Sequence, residues 1–129
     1  MSDQDVLNLI KQADKAISAE DFEALMEFYA DDAVLVVKPG QIAKGKPQIR
    51  KAFEAIAKHF KNALTVSQGE AQVIESADTT LVIMETHLHI GDEIKPVTRR
   101  ATYVFRRDPI YGWLCTVDNS YGTDLLDDR

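Results

Sequence analysis

From Thr79 to Arg107 the chain reads TTLVIMETHLHI, then GDEIKP, then VTRRATYVFRR. Both outer pieces alternate with a period of two and are rich in β-branched and aromatic residues, the pattern of strands with one face buried. The residues between them carry glycine, acids and proline, which is turn chemistry. Working outward, Leu64 to Ile74 precedes this hairpin and Trp113 to Tyr121 follows it, with the same period. Ser76-Ala77-Asp78 and Asp108-Pro109-Ile110-Tyr111-Gly112 are the separators. Four hairpin-linked strands are therefore expected in the C-terminal half.

The N-terminal half follows a helical period. Val6, Leu9, Ile10, Ala13 and Ile17 form one apolar stripe, and Ser2 with Asp5 resembles a capping box before it. Asp21 restarts the pattern, with Phe22, Leu25, Met26 and Tyr29 on one side of a shorter helix that Asp31-Asp32 closes. Val34 to Val37 reads as a strand ended by Pro39-Gly40. A third helix is expected near Pro47, where a missing N–H costs nothing, with Ile49, Phe53, Ile56 and Phe60 buried. Helices first and hairpins last predict an α+β fold with helices on one face of an antiparallel sheet.

The 129 residues suit one domain, 1–129, and 45% of them are hydrophobic. A net charge of −6 disfavours nucleic acid, and alternation splits Arg99, Arg100, Arg106 and Arg107 between two faces, leaving no basic groove. Cys115 is the sole cysteine, and its apolar neighbours Trp113 and Leu114 suggest a buried thiol in a reducing compartment. The acidic N-terminus is unlike a signal peptide, and no apolar run approaches the roughly 20 residues that span a bilayer. A cytoplasmic location, with no membrane partner, is the expectation.

Asp21-Phe-Glu-Ala-Leu, then Phe-Tyr-Ala-Asp-Asp-Ala-Val-Leu, a Pro-Gly loop, and Gly-Lys-Pro-Gln-Ile-Arg-Lys-Ala-Phe53 together resemble the nuclear transport factor 2-like superfamily. Tyr103-Val104-Phe105-Arg106-Arg107 followed by Gly112-Trp113 and Asp118-Asn119-Ser120 is similar to the last hairpin of its SnoaL-like, ketosteroid-isomerase-related branch. The resemblance covers almost the whole chain. It implies a cystatin-like, cone-shaped fold, with a curved sheet wrapped around the N-terminal helices and one open end. Some members bind or transform small molecules in the cone and others only associate, so fold does not fix function. The steroid-isomerase chemistry needs a base near Val37 or Lys38, a tyrosine near Ala13 and a protonated aspartate near Thr102. None of those residue types stands there.

Gly40 to Pro47 approaches a phosphate-binding loop, but Pro47 replaces the magnesium-holding hydroxyl and removes an N–H. Glu85, His87 and His89 alternate onto one strand face, and His-x-His-x3-Glu ending at Glu93 resembles a cupin metal motif without its glycine or its second half. Pocket or interface histidines are the simpler reading. By resemblance, Arg100, Thr102 and Asp118 face the cone with Glu85 and His87, and Tyr103, Phe105 and Trp113 face a partner subunit. The alternative is that these aromatics are core. In the functional version Arg100 anchors a ligand oxyanion and His87 is the acid or base. One bulge would exchange the faces. The expectation is a cofactor-free homodimer binding a small organic molecule, an isomerase, cyclase or hydratase. The alternatives are a non-catalytic association module and, third, a metal enzyme using His87 and His89.

Overall fold

The computed structural model describes residues 3–60, 63–91 and 97–127. Ser2 of the expected capping box and Glu93 of the cupin-like spacing lie outside them. Helix α1 spans Asp3–Ala19, α2 Phe22–Met26 and α3 Gly45–His59. Strands β1 (Tyr29–Lys38), β2 (Gln41–Lys44), β3 (Leu64–Ser76), β4 (Thr79–Ile90), β5 (Val97–Asp108) and β6 (Gly112–Asn119) form one sheet, and a 3₁₀ turn, Gly122–Leu126, follows. The sheet is curved and unclosed, in the order β2-β1-β6-β5-β4-β3.

The four C-terminal strands lie where alternation put them, and three differences appear upstream. Tyr29 opens β1 instead of ending α2, since its ring is needed in the core at 1% exposure. Gln41–Lys44 is a fifth hairpin-linked strand, paired antiparallel to β1 across the Pro39-Gly40 turn. It then feeds α3, where Gln48 Oε1 accepts from the N–H of the cap residue Lys44 at 2.8 Å. The β1–β6 pairing is parallel, which the long connection through α3 and four strands allows.

The inner face of the sheet carries Val82, Met84, Ala101, Tyr103, Phe105, Trp113 and Cys115, all at most 5% exposed. They pack with Val6, Ile10 and Ala13 of α1, Leu25 of α2 and Ile49 and Phe53 of α3. Phe28 meets the rings of Tyr29, Tyr103 and Phe105 edge-on at 5.0, 6.4 and 5.5 Å. Edge-to-face pairs at such spacing add to the area they bury. The aromatics expected to face a partner are therefore core. Tyr103, Phe105 and Trp113 are the largest apolar groups of their strands, and the helices cover that face.

Two bulges decide the polar content of the interior. In β6, Val104 pairs with Val117 but Phe105 with Cys115, so Thr116 is an extra residue. Cys115 and Asp118, three apart, consequently share the inner face. In β3, Gln68 pairs with Thr86 but Ala71 with Met84, and the same device puts Gln68 inside.

Candidate functional site

Seven polar side chains run through this apolar interior. Gln68 Nε2 donates to Asp14 Oδ2 at 2.7 Å, and Thr86 Oγ1 donates to Gln68 Oε1 at 2.9 Å. The buried Tyr103 hydroxyl lies near Thr86 and Ser120, between the two hydrogen-bonded groups. Ser120 Oγ donates to Asp118 Oδ1 at 2.6 Å, and the Tyr29 hydroxyl donates to Asp118 Oδ2 at 2.6 Å. Asp14, on α1, is 8% exposed, and Asp118 is 3%. Burying polar groups is costly unless they are paired, and two hydrogen-bonded segments, Asp14–Gln68–Thr86 and Ser120–Asp118–Tyr29, supply that pairing here.

The two carboxyls are tuned differently. Burial pushes Asp14 up to about 7, against the opposing pull of the Gln68 amide and with a further push from the Asp118 charge. Burial also raises Asp118, while the Ser120 and Tyr29 hydroxyls hold it down. Tyr29 and Tyr103 are driven well above the phenol range by burial first and by the Asp118 charge second. Cys115 is likewise raised by burial, which fits an inert buried thiol. A carboxyl poised near neutrality beside a fully hydrogen-bonded second acid can accept and return a proton.

A recess lies next to these segments. Ile17, Phe22, Phe53, Ile56, Ala57 and Leu64 line it among its walls. Ile17 is one helical turn beyond Asp14, and the Phe53 ring lies 6.3 Å from that of Tyr29. The space that admits water is only about 10 Å³, roughly one molecule, so the roomy hollow expected from the resemblance is a tight apolar mouth here. A groove lined by Asp21, Glu23, Met26, Glu27 and Arg50 contains none of the cluster.

Of the sequence-predicted site residues, only Asp118 lies inside. The inner partners of Glu85, His87, Arg100 and Thr102 are the adjacent buried Met84, Thr86, Ala101 and Tyr103, so those four occupy the outer face. His87 Nδ1 lies 3.1 Å from Thr98 Oγ1, and its Nε2 lies 3.9 Å from Glu85 Oε1. Arg100 pairs across the strands with Glu85 in register and is exposed. Met84, Ala101, Tyr103 and Phe105 take the helix-covered face of β4 and β5, which turns Glu85, His87, Arg100 and Thr102 outward, and the Thr116 bulge brings Asp118 inside without them. An unbroken alternation tied Asp118 to Arg100 and Thr102, and one inserted residue separates them. His89 follows on the same outer row, and among the described residues no three His, Cys, Asp or Glu side chains are grouped to share a metal.

Asp14, Gln68, Thr86 and Ser120 were not singled out by the sequence, and Tyr29 and Tyr103 were read there only as a helix-face aromatic and as a partner-facing or core aromatic. One signal was available: Asp14 falls four residues after Ile10 and three before Ile17, so it interrupts the buried stripe with an acid. The hydroxyls carried no comparable mark.

A curved-sheet α+β domain with buried acids between helix and sheet defines the class. The chain belongs to the SnoaL-like domain family, whose model matches residues 6–114. Among proteins of curated function, none matches the sequence. The structure is similar to a Nostoc punctiforme protein of unknown function with a cystatin-like fold, at 17% identity and a TM-score of 0.79 over 88% of this chain and 85% of that one. It is similar to a candidate ketosteroid isomerase from Shewanella frigidimarina, at 15% identity and 0.72 over 87% and 90%. A candidate calcium/calmodulin-dependent protein kinase type II association domain from Thiobacillus denitrificans gives 22% and 0.72 over 86% and 89%. At these identities the likeness concerns the fold alone.

Proposed function

We propose that the chain is a cofactor-free acid–base domain in which Asp14 moves a proton on a small organic molecule entering past Ile17, Phe53 and Leu64. The observation that carries this reading is a pair of hydrogen-bonded segments, Asp14–Gln68–Thr86 and Tyr29–Asp118–Ser120, set inside an apolar core that packing alone would fill with hydrocarbon. Buried acids are retained at a cost, and a functional site is where that cost has a return. In the reaction class that fits, ionised Asp14 takes a proton from a carbon beside a carbonyl. The C–H electron pair shifts onto the carbonyl oxygen, and Asp14 returns the proton to the same carbon or another. Tyr29 and Ser120 hold Asp118 in place behind it. The working form is a homodimer through the outer sheet face, which presents Ile83 and Val117 at 39% and 37% exposure.

The test is deuterium exchange at the α-carbons of 2-tetralone, followed by proton NMR in D₂O between pH 5 and 9. The expected result is a protein-dependent rate that rises with a midpoint near 7, and at least a tenfold loss in Asp14→Asn. A rate equal to buffer alone, from protein that remains folded and dimeric, would remove the enzyme reading. The tightness of the recess favours the rival in that case, a non-catalytic association module whose working surface is the outer face.

A further inference from the structure

Arg99 is a cation on the inner face that the proton chemistry does not use. Thr98 touches His87 outside and Ala101 is buried, so alternation points Arg99 inward, next to the cluster. Its side chain is only 23% exposed. The register places Gln68 of β3, Thr86 of β4 and Arg99 of β5 in one cross-strand row. Strands lie about 4.8 Å apart, so the row spans roughly 10 Å from Gln68, which holds Asp14, to Arg99.

The guanidinium is occupied by the chain itself. Arg99 Nη1 donates to Asp124 Oδ2 at 2.6 Å, and the Arg99 Cζ lies 4.1 Å from the centre of the Tyr121 ring. Asp124 belongs to the short turn Gly122–Leu126, which lies against the start of β5 because Gly122 rests directly on the Arg100 backbone. A carboxylate at charge-assisted distance on a planar fork, with an aromatic platform beneath, is the arrangement that recognises organic acids.

We infer that Arg99 is the anchor for the carboxylate of a small organic acid, and that Asp124 is an internal stand-in which the ligand displaces. The inference rests on the small-molecule reading above and names its substrate class: an acid with an ionisable C–H some four to six bonds from its carboxylate, so that one end meets Arg99 while the other reaches Asp14. The role that the sequence assigned to Arg100 thus passes to its neighbour, one residue and one sheet face away. An internal competitor lowers apparent affinity by the fraction of time it occupies the site.

Titration calorimetry with 4-oxopentanoate, using 2-hexanone as the uncharged control of similar length, tests this. Asp124→Asn is expected to bind 4-oxopentanoate roughly three- to tenfold more tightly than the native chain, and Arg99→Gln at least tenfold more weakly. Neither change should alter the response to 2-hexanone. If Arg99→Gln does not fold, the Asp124→Asn result alone decides. Equal or weaker binding by folded Asp124→Asn overturns the inference, as does unchanged binding by folded Arg99→Gln. Tetralone exchange depends on Asp14 without needing Arg99, so loss of the anchor and loss of the proton-transfer reading give different results.

Discussion

Asp14 holds its proton more tightly in the folded chain than in the unfolded one, because burial disfavours the carboxylate. Its folded value of about 7 lies above the ordinary 3.8, so between those limits the folded state carries a proton that the unfolded state has lost. Stability from this residue is therefore fullest in acid, declines as the pH climbs through that window, and levels off above 7. Three units correspond to about 4 kcal/mol at most, an order-of-magnitude figure. Asp14→Asn keeps an oxygen for Gln68 and removes the charge. At pH 8 it should melt above the native chain, and the gap should close by pH 4. Parallel thermal melts read this directly, and a gap independent of pH would contradict it. Tyr29→Phe acts on the other acid: it leaves Asp118 with Ser120 as its remaining side-chain donor and raises its pKa further. The expected cost is about 1–3 kcal/mol in a denaturant titration, in the range for a lost bond to a buried group.

At the scale of elements, glycine separates a tight contact from a forgiving one. A Cβ on Gly122 would overlap the Arg100 carbonyl oxygen, and its φ of +77° disfavours any side chain. Gly122→Ala should therefore lose about 2–4 kcal/mol, or release the C-terminal turn from β5. A Cβ on Gly69 would come within 2.9 Å of Glu85 Oε1 and His87 Nε2, the free ends of side chains that can turn away, and within 3.2 Å of the Glu85 Cβ, which would have to give by a few tenths of an ångström. Gly69→Ala should cost less than about 1 kcal/mol, and equal losses at the two sites in chemical denaturation would refute the distinction. The same elements explain what the sequence could reveal. The strand period from Leu64 onward and the helical stripe of Val6, Ile10 and Ala13 carry the α+β order, because burial repeats with the backbone. The Thr116 bulge adds one residue without any glycine or proline to mark it, so alternation misplaced Asp118 relative to Arg100. Strand β2 escaped notice because its Gln41, Ile42 and Lys44 are exposed and only Ala43 is buried. The cluster depends on pairings between α1 and β3 and across β4 to β6, which no local window contains.

For the molecule as a whole, the proposed dimer would use the outer sheet face. Ile74, Leu81, Val104 and Val117 line up in register across β3, β4, β5 and β6. Ile74 is 53% exposed, and Ile83 stands in the adjoining row. A run of apolar groups across four strands is larger than the scattered exposed residues normal for a monomer. Glu85 and Arg100, opposite in charge and in register beside it, can meet their own copies across a two-fold axis, since an isologous interface matches a surface with itself. Covering the face would also protect the sheet from wrong partners, against which a net charge of −6 supplies only general repulsion. Val117→Lys puts a charge at the β6 end of the row while leaving the opposite, helix-covered face untouched. Sedimentation equilibrium at low micromolar concentration should find dimer for the native chain and monomer for the variant, with far-ultraviolet dichroism unchanged. A native chain that sediments as a monomer would mean that this face serves no second copy, and an intact dimer in the variant would move the interface elsewhere.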